Sequence, residues 1–153
     1  GRDDWPVIFD ENYTFELGKG IWLKEGKDVV LMNSGVLLPY ALEAAEILKE
    51  NGIDAGVINM PTIKPLDIEM INEVCRNVGA IVTLENHNVQ GGFGSAVAEV
   101  VVNHKPVPME FIGIQNEYSE SAPNEELAEK HQLTAPFIAA AARKVVKRKN
   151  NLK

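Results

Sequence analysis

The chain has 153 residues, 45% of them hydrophobic and 24% charged, with a formal net charge of −7; these are the proportions of one soluble globular domain able to bury a core without staples. The acid excess argues against bulk nucleic-acid binding, and no apolar run reaches the ~18 residues that a bilayer-spanning helix needs, so neither nucleic acid nor membrane is an expected partner. The single cysteine, Cys75, cannot close an internal disulfide, and GRDDWPVIFD at the start has no secretory-leader pattern; a reducing cytoplasm is the expected compartment.

Residues 1–20 show no clear period and carry Trp5, Phe9, Tyr13 and Phe15. They read as an extended arm that needs a surface to pack on. IWLKEG (21–26) is a short strand ending in a glycine turn, and VVLMN (29–33) is a continuous apolar strand whose following SG opens a loop. Ala41, Ala44, Ala45 and Leu48 then recur at helical spacing, with Gly52 as the stop. AGVINM (55–60) is a second buried strand. TIKPLD is a turn, because Pro65 disfavours helical angles at Lys64. Asp67 is placed to cap a helix carrying Met70, Ile71, Val74 and a buried Cys75, ended by Gly79. AIVTL (80–84) and MEFIGI (109–114) are the third and fourth buried strands, with a helix beginning near Ser95 between them. NEELAEKH and TAPFIAAAARKVV supply two more helices, the second started by Thr134 with Pro136 just inside. The cations of RKVVKRKNNLK read as complements to a helix C-terminus followed by a solvated tail. Unbroken apolar strands alternating with helices imply a parallel sheet covered on both faces, with right-handed crossovers.

One corner stands out. In TLENHNVQGGFGSAVAEVV, a strand ends in Glu85, Asn86 and His87, and Gly91, Gly92 and Gly94 precede a helix. In a doubly wound sheet the ligand-facing loops follow strand C-termini where the strand order reverses. Asn33-Ser34-Gly35 and Glu85-Asn86-His87 meet there if their strands are neighbours. The glycines permit a sharp bend, and the N–H groups of a helix starting near Ser95 are placed to face an anion. The plainer reading is a hydrogen-bonded Glu85–His87 pair that holds the loop. GGFG does not match the dinucleotide fingerprint, because its glycines come seven residues past the predicted strand end. His104 and His131 lie in polar contexts and read as solvated. No Cys/His cluster has zinc spacing, and no GxSxG elbow or Cys–His pairing suggests a nucleophile. From the residues alone, the chain is an α/β sandwich with one notable corner and no assigned reaction.

Several separated segments nonetheless agree in order and spacing with one family. FELGKGIWLKEGKDV, NSG, ALEAAEILKENGIDAGVINMPTIKPLD, IVTLENH with GGFGSAVAE, and EELAEKHQLT together resemble the C-terminal third of transketolases over residues 13–146. The same domain type closes 1-deoxyxylulose-5-phosphate synthases and the β subunits of 2-oxo acid dehydrogenases. TIKPLD and the Glu85-x-His87 pattern look more like transketolase, since the dehydrogenase subunits tend to carry Arg in place of Lys64 and lack the His. The resemblance implies a three-layer α/β/α sandwich around a five-stranded mixed sheet, mostly parallel, with the first strand antiparallel at the edge. It divides the chain into a linker from a preceding domain (1–20), the domain proper (21–150) and a tail (151–153).

The implied activity is two-carbon ketol transfer between sugar phosphates, a step of the pentose phosphate pathway, by a dimeric thiamine-diphosphate and Mg²⁺ enzyme. The family's GDG…N motif and its activating glutamate belong to other domains and are absent from this sequence. The resemblance therefore implies no catalytic residue, cofactor or metal held by these residues, no activity alone, and dependence on the remaining transketolase domains or subunit, with a homodimer in the full enzyme. Arg2 fits a position that contacts substrate phosphate, a task suited to a planar bidentate donor. Glu85, His87, Gly91, Gly92 and Gly94 are implied to support the active-site rim or an interface. A standalone anion-binding or assembly module is the alternative from a different functional class.

Overall fold

Successive residues of each central strand face opposite sides of the sheet, so a strand that is apolar at every position must be covered twice. The computed structural model, which describes residues 5–118 and 120–152, meets this demand with helices on both faces. In chain order the elements are β1 (Ile21–Lys24), β2 (Val29–Ser34), α1 (Leu38–Glu50), β3 (Ala55–Asn59), α2 (Ile68–Asn77), β4 (Ile81–Asn88), α3 (Phe93–His104), β5 (Met109–Ile114), α4 (Asn124–Lys130) and α5 (Ala135–Asn150). The five-stranded sheet runs β1-β3-β2-β4-β5. β1 pairs antiparallel to β3, and the remaining neighbours pair parallel.

The two faces build two cores. Val29, Leu31, Val57, Val82 and Leu84 meet α1 and α5 through Ala44, Leu48, Ile138 and Ala142. Val30, Met32, Ile58 and Ile81 meet α2 and α3 through Ile71, Val74, Cys75, Phe93 and Val97. Each fully buried Leu, Ile or Phe contributes roughly 1.5–3 kcal/mol, so the double layer is the main source of stability.

The local signals that end the helices act as predicted. Gly52 and Gly79 take left-handed angles just beyond α1 and α2, at φ +75° and +77°. Asp67 Oδ1 accepts a hydrogen bond from the Met70 N–H at 3.1 Å, capping α2. Its Oδ2 accepts from the Gly20 N–H at 3.0 Å and so ties the end of the arm to the same helix. Residues 5–20 contain neither helix nor strand. They lie on the domain through Ile8 and Phe9, which pack on the α1/α5 core. Trp5 meets Tyr40 edge-on at 6.2 Å between ring centroids.

At the C-terminus α5 runs to Asn150, and Lys147, Arg148 and Lys149 lie in its last turn, as expected of cations at a helix C-terminus. Beyond that expectation, some α5 cations also cross-link the sheet. Lys144 and Arg148 bond the Glu110 carboxylate at 2.8 and 2.7 Å, and Lys149 donates to the Lys27 and Asp28 carbonyls. Long cationic stems reach the sheet from a helix lying on it, which spacing along α5 alone does not reveal.

Candidate functional site

β2 lies between β3 and β4. The chain leaves β2 toward β3 on one side and later returns to β4 on the other, so strand order reverses at the β2–β4 pair. Ser34 at the end of β2 is in register with Glu85 of β4, and a Cβ at Gly35 would lie 3.1 Å from Asn86 Oδ1. The two loops singled out in the sequence therefore converge. Behind them Asn33 is fully buried, and its amide donates to the Gly35 carbonyl at 2.9 Å.

Two boundaries at the glycine corner are corrected. β4 runs through Asn88, past the predicted end at Leu84, with its register to β5 shifting between those residues. α3 begins at Phe93, ahead of Ser95, with Gly92 as N-cap. The glycines therefore follow the strand closely. Polar residues 85–88 hid the extension, because at this sheet end the strand leaves the apolar layers yet still pairs through Glu85 with Ser34 and through Asn88 with Ile114.

Glu85 is only 3% exposed. Its Oε2 accepts the Phe93 N–H at 2.7 Å and its Oε1 the Gly94 N–H at 2.8 Å. Gly92 has no side chain with which to cap the helix, so β4 delivers the cap. The first amides of a helix lack intrahelical partners and carry the positive end of its dipole, which makes a buried carboxylate there doubly favourable. The glycines admit it. A Cβ at Gly92 would overlap Glu85 Oε2, and one at Gly94 would lie 2.6 Å from both Phe111 Cδ1 and Thr83 Oγ1. Gly91 turns the chain at φ +76°. Ser95 Oγ accepts the Gly91 N–H at 3.0 Å and donates to the Val89 carbonyl at 2.7 Å, fastening the loop to the helix.

This geometry overturns two expectations. The α3 N-terminus is not open to an external anion, because an internal one occupies it. Glu85 and His87 do not pair: His87 is exposed, with Nδ1 3.1 Å from the Asn88 carbonyl oxygen. What remains outward is a cavity of about 580 Å³ at the carboxyl edge, whose polar lining includes Ser34, Lys64, Asn86, His87 and Ser95. Lys64, Asn86 and the hydroxyls supply hydrogen-bond donors there, and Glu99 adds a carboxylate to the same lining. Among the described residues no group of three or more His, Cys, Asp and Glu is arranged to hold a metal ion. No helix of the described residues is long and apolar enough to cross a membrane. Arg2 lies outside the described residues.

His104 is exposed, as expected. His131 is not: it is 93% buried, with Nδ1 2.9 Å from Glu117 Oε1 and with Nε2 lacking a partner. Its polar neighbours Lys130 and Gln132 suggested solvation. The available signal was the apolar pair Ala128 and Leu133 flanking it, both buried where α4 turns toward α5.

Comparison with known proteins agrees with this architecture. A 6-deoxy-6-sulfo-D-fructose transketolase subunit of Clostridium sp. (strain MSTE9) is 43% identical over 143 residues, covering 94% of this chain and 44% of that protein. A 1-deoxy-D-xylulose-5-phosphate synthase of Crocosphaera subtropica is 41% identical over 141 residues, covering 92% of this chain and 22% of that protein. A split-gene transketolase solved as an inactive β4 tetramer superposes with a TM-score of 0.93 at 44% identity, covering 97% of this chain and 49% of that one. The chain thus spans less than half the length of each of these relatives. Residues 18–138 match the family model described as "Transketolase, C-terminal domain", and the chain belongs to that family.

Proposed function

We propose that this chain is the C-terminal portion of a cytoplasmic, homodimeric transketolase that moves a two-carbon ketol unit between sugar phosphates. It supplies structure and an active-site rim and has no turnover alone. The observation that supports this reading is the engagement of Glu85: the buried carboxylate at the corner is bonded to α3, leaving Asn86, His87, Lys64 and the exposed Glu99 to line the carboxyl-edge cavity. Thiamine diphosphate with Mg²⁺ supplies the ketol-transfer chemistry in such enzymes. Among the described residues no group of acids, His or Cys is arranged to hold Mg²⁺, and this reading assigns both groups to the remaining domains or subunit. Glu85 holds the loop that presents Asn86 and His87 to that partner, and Arg2 contacts the substrate phosphate.

The second reading is the C-terminal part of a 1-deoxyxylulose-5-phosphate synthase, supported by relatives such as the 41% identical one above. TIKPLD and the Glu85-x-His87 pattern favour transketolase. The test is co-expression of this chain with the cofactor-binding portion, followed by assay of ketol transfer and of deoxyxylulose phosphate formation. Ketol transfer by the complex, none by the chain alone, and a several-fold loss in His87→Ala that leaves this chain's stability within about 0.5 kcal/mol are expected. Arg2→Ala should weaken phosphorylated acceptors about 10- to 150-fold more than unphosphorylated ones. Turnover by the chain alone, or deoxyxylulose phosphate as the sole product, overturns the reading.

A further inference from the structure

A second cavity, of about 320 Å³, lies between the arm, α4 and the carboxyl end of β5. Its apolar wall includes Trp5, Leu37, Ile114, Leu127 and Leu133, and Asn86 and His131 also line it. The volume is at the lower end of the range that small-molecule sites occupy. Among the described residues four buried side-chain atoms lack a hydrogen-bond partner, Asn33 Oδ1, Asn72 Oδ1, Thr83 Oγ1 and His131 Nε2, and of these residues His131 is the one that lines this cavity. A buried polar atom without a partner carries the full desolvation penalty of that atom.

The chemistry of the missing partner follows from the other ring nitrogen. Nδ1 lies 2.9 Å from Glu117 Oε1, and a carboxylate only accepts, so Nδ1 carries the hydrogen. In the neutral ring Nε2 is then an acceptor awaiting a donor. Acidic residues stand nearby. Glu125, Glu43 and Glu129 all push the Tyr40 hydroxyl above its ordinary range, behind burial as the largest cause, and Tyr40 touches Trp5 of the cavity wall. Their field disfavours anions, sugar phosphates included.

We propose that this cavity is a binding site for a small, uncharged, largely apolar molecule bearing one hydroxyl or amine donor, which bonds His131 Nε2 while its body packs on Trp5, Leu127 and Leu133. Asn86 lines both this cavity and the carboxyl-edge cavity. An occupant is therefore sensed at the loop that carries His87.

Phenol is the probe, with toluene as a ring of similar size that lacks the donor. Titration of the chain is followed by Trp5 fluorescence, with Trp22→Phe removing the other indole, and by the backbone amide signal of Asn86. Phenol should saturate both signals and bind about tenfold more tightly than toluene, the scale of one buried acceptor gaining its donor. His131→Phe keeps an aromatic ring and should erase the preference. Glu117→Ala, at a half-exposed carboxylate, frees the tautomer and should reduce the preference, so it decides the matter if His131→Phe fails to fold. Val36→Trp, at a position on the wall that is 37% exposed, should abolish binding of both probes. No saturable response to phenol, equal affinity for the two probes, a preference that survives His131→Phe, or, where that variant does not fold, a preference undiminished in Glu117→Ala overturns the proposal.

Discussion

Replacing Glu85 by Ala tests whether the strand-delivered cap holds the corner together. The change removes two hydrogen bonds to an ionised acceptor, at 2.7 and 2.8 Å, each worth about 1.5–3 kcal/mol. It also strands two amides at the start of α3 and leaves a void beside buried Thr83 and Phe93. Water entering past the exposed Gly91 recovers part of the loss, so the expected cost is about 3–4 kcal/mol. That is a large share of the 5–15 kcal/mol typical of a domain, and about 6–16 °C in melting temperature at this size. Glu85→Gln keeps one acceptor but turns an amide N–H toward a backbone N–H, so it should cost roughly half as much. Urea denaturation with an unchanged m-value reads both, and Glu99→Gln, on the exposed side of α3, should stay within about 0.5 kcal/mol. A Glu85→Ala chain within 1 kcal/mol of the parent would falsify the capping argument and leave the glycines without their reason.

Four further outcomes are expected. Gly94→Val should cost at least about 1–3 kcal/mol by overpacking against Phe111 and Thr83. Gly91→Ala meets open space but sits at φ +76°, so it should cost about 1 kcal/mol through backbone strain alone; equal and negligible effects in denaturant titrations would refute both. Burial raises the Cys75 thiol above its ordinary range, so thiol labelling should require opening of the α2/α3 core; Val74→Ala should accelerate it, and rapid labelling of the native chain would refute the placement. The hydrogen bond from Lys24, followed by its charge, holds the Glu46 carboxyl below its ordinary range. The stabilisation is therefore present above the unfolded-state value and lost as pH falls through the folded one. Glu46→Gln should flatten the acid limb of melting temperature against pH, less so in high salt because the pair is exposed; a steeper acid limb would contradict the sign.

The order of elements and the layered class were legible in the sequence because they follow from short-range physics. Val29, Val30, Leu31 and Met32 are apolar in unbroken succession, which no strand with one wet face tolerates. Asp67, Gly52 and Gly79 punctuate the helices by chemistry confined to a few residues. The corner was legible as a place, since its glycines and polar residues break the pattern, but its workings were not. That Glu85 serves α3 and not His87 depends on the register that sets β4 against the first turn of α3, a relation between backbones. The burial of His131 depends on how α4 meets α5, and the reach of Lys144 and Arg148 to Glu110 on how α5 lies along β5. Each of these is a long-range approach decided by the packing of whole elements. A side chain's polarity states what partner it requires, and only the tertiary structure decides which group arrives to meet it.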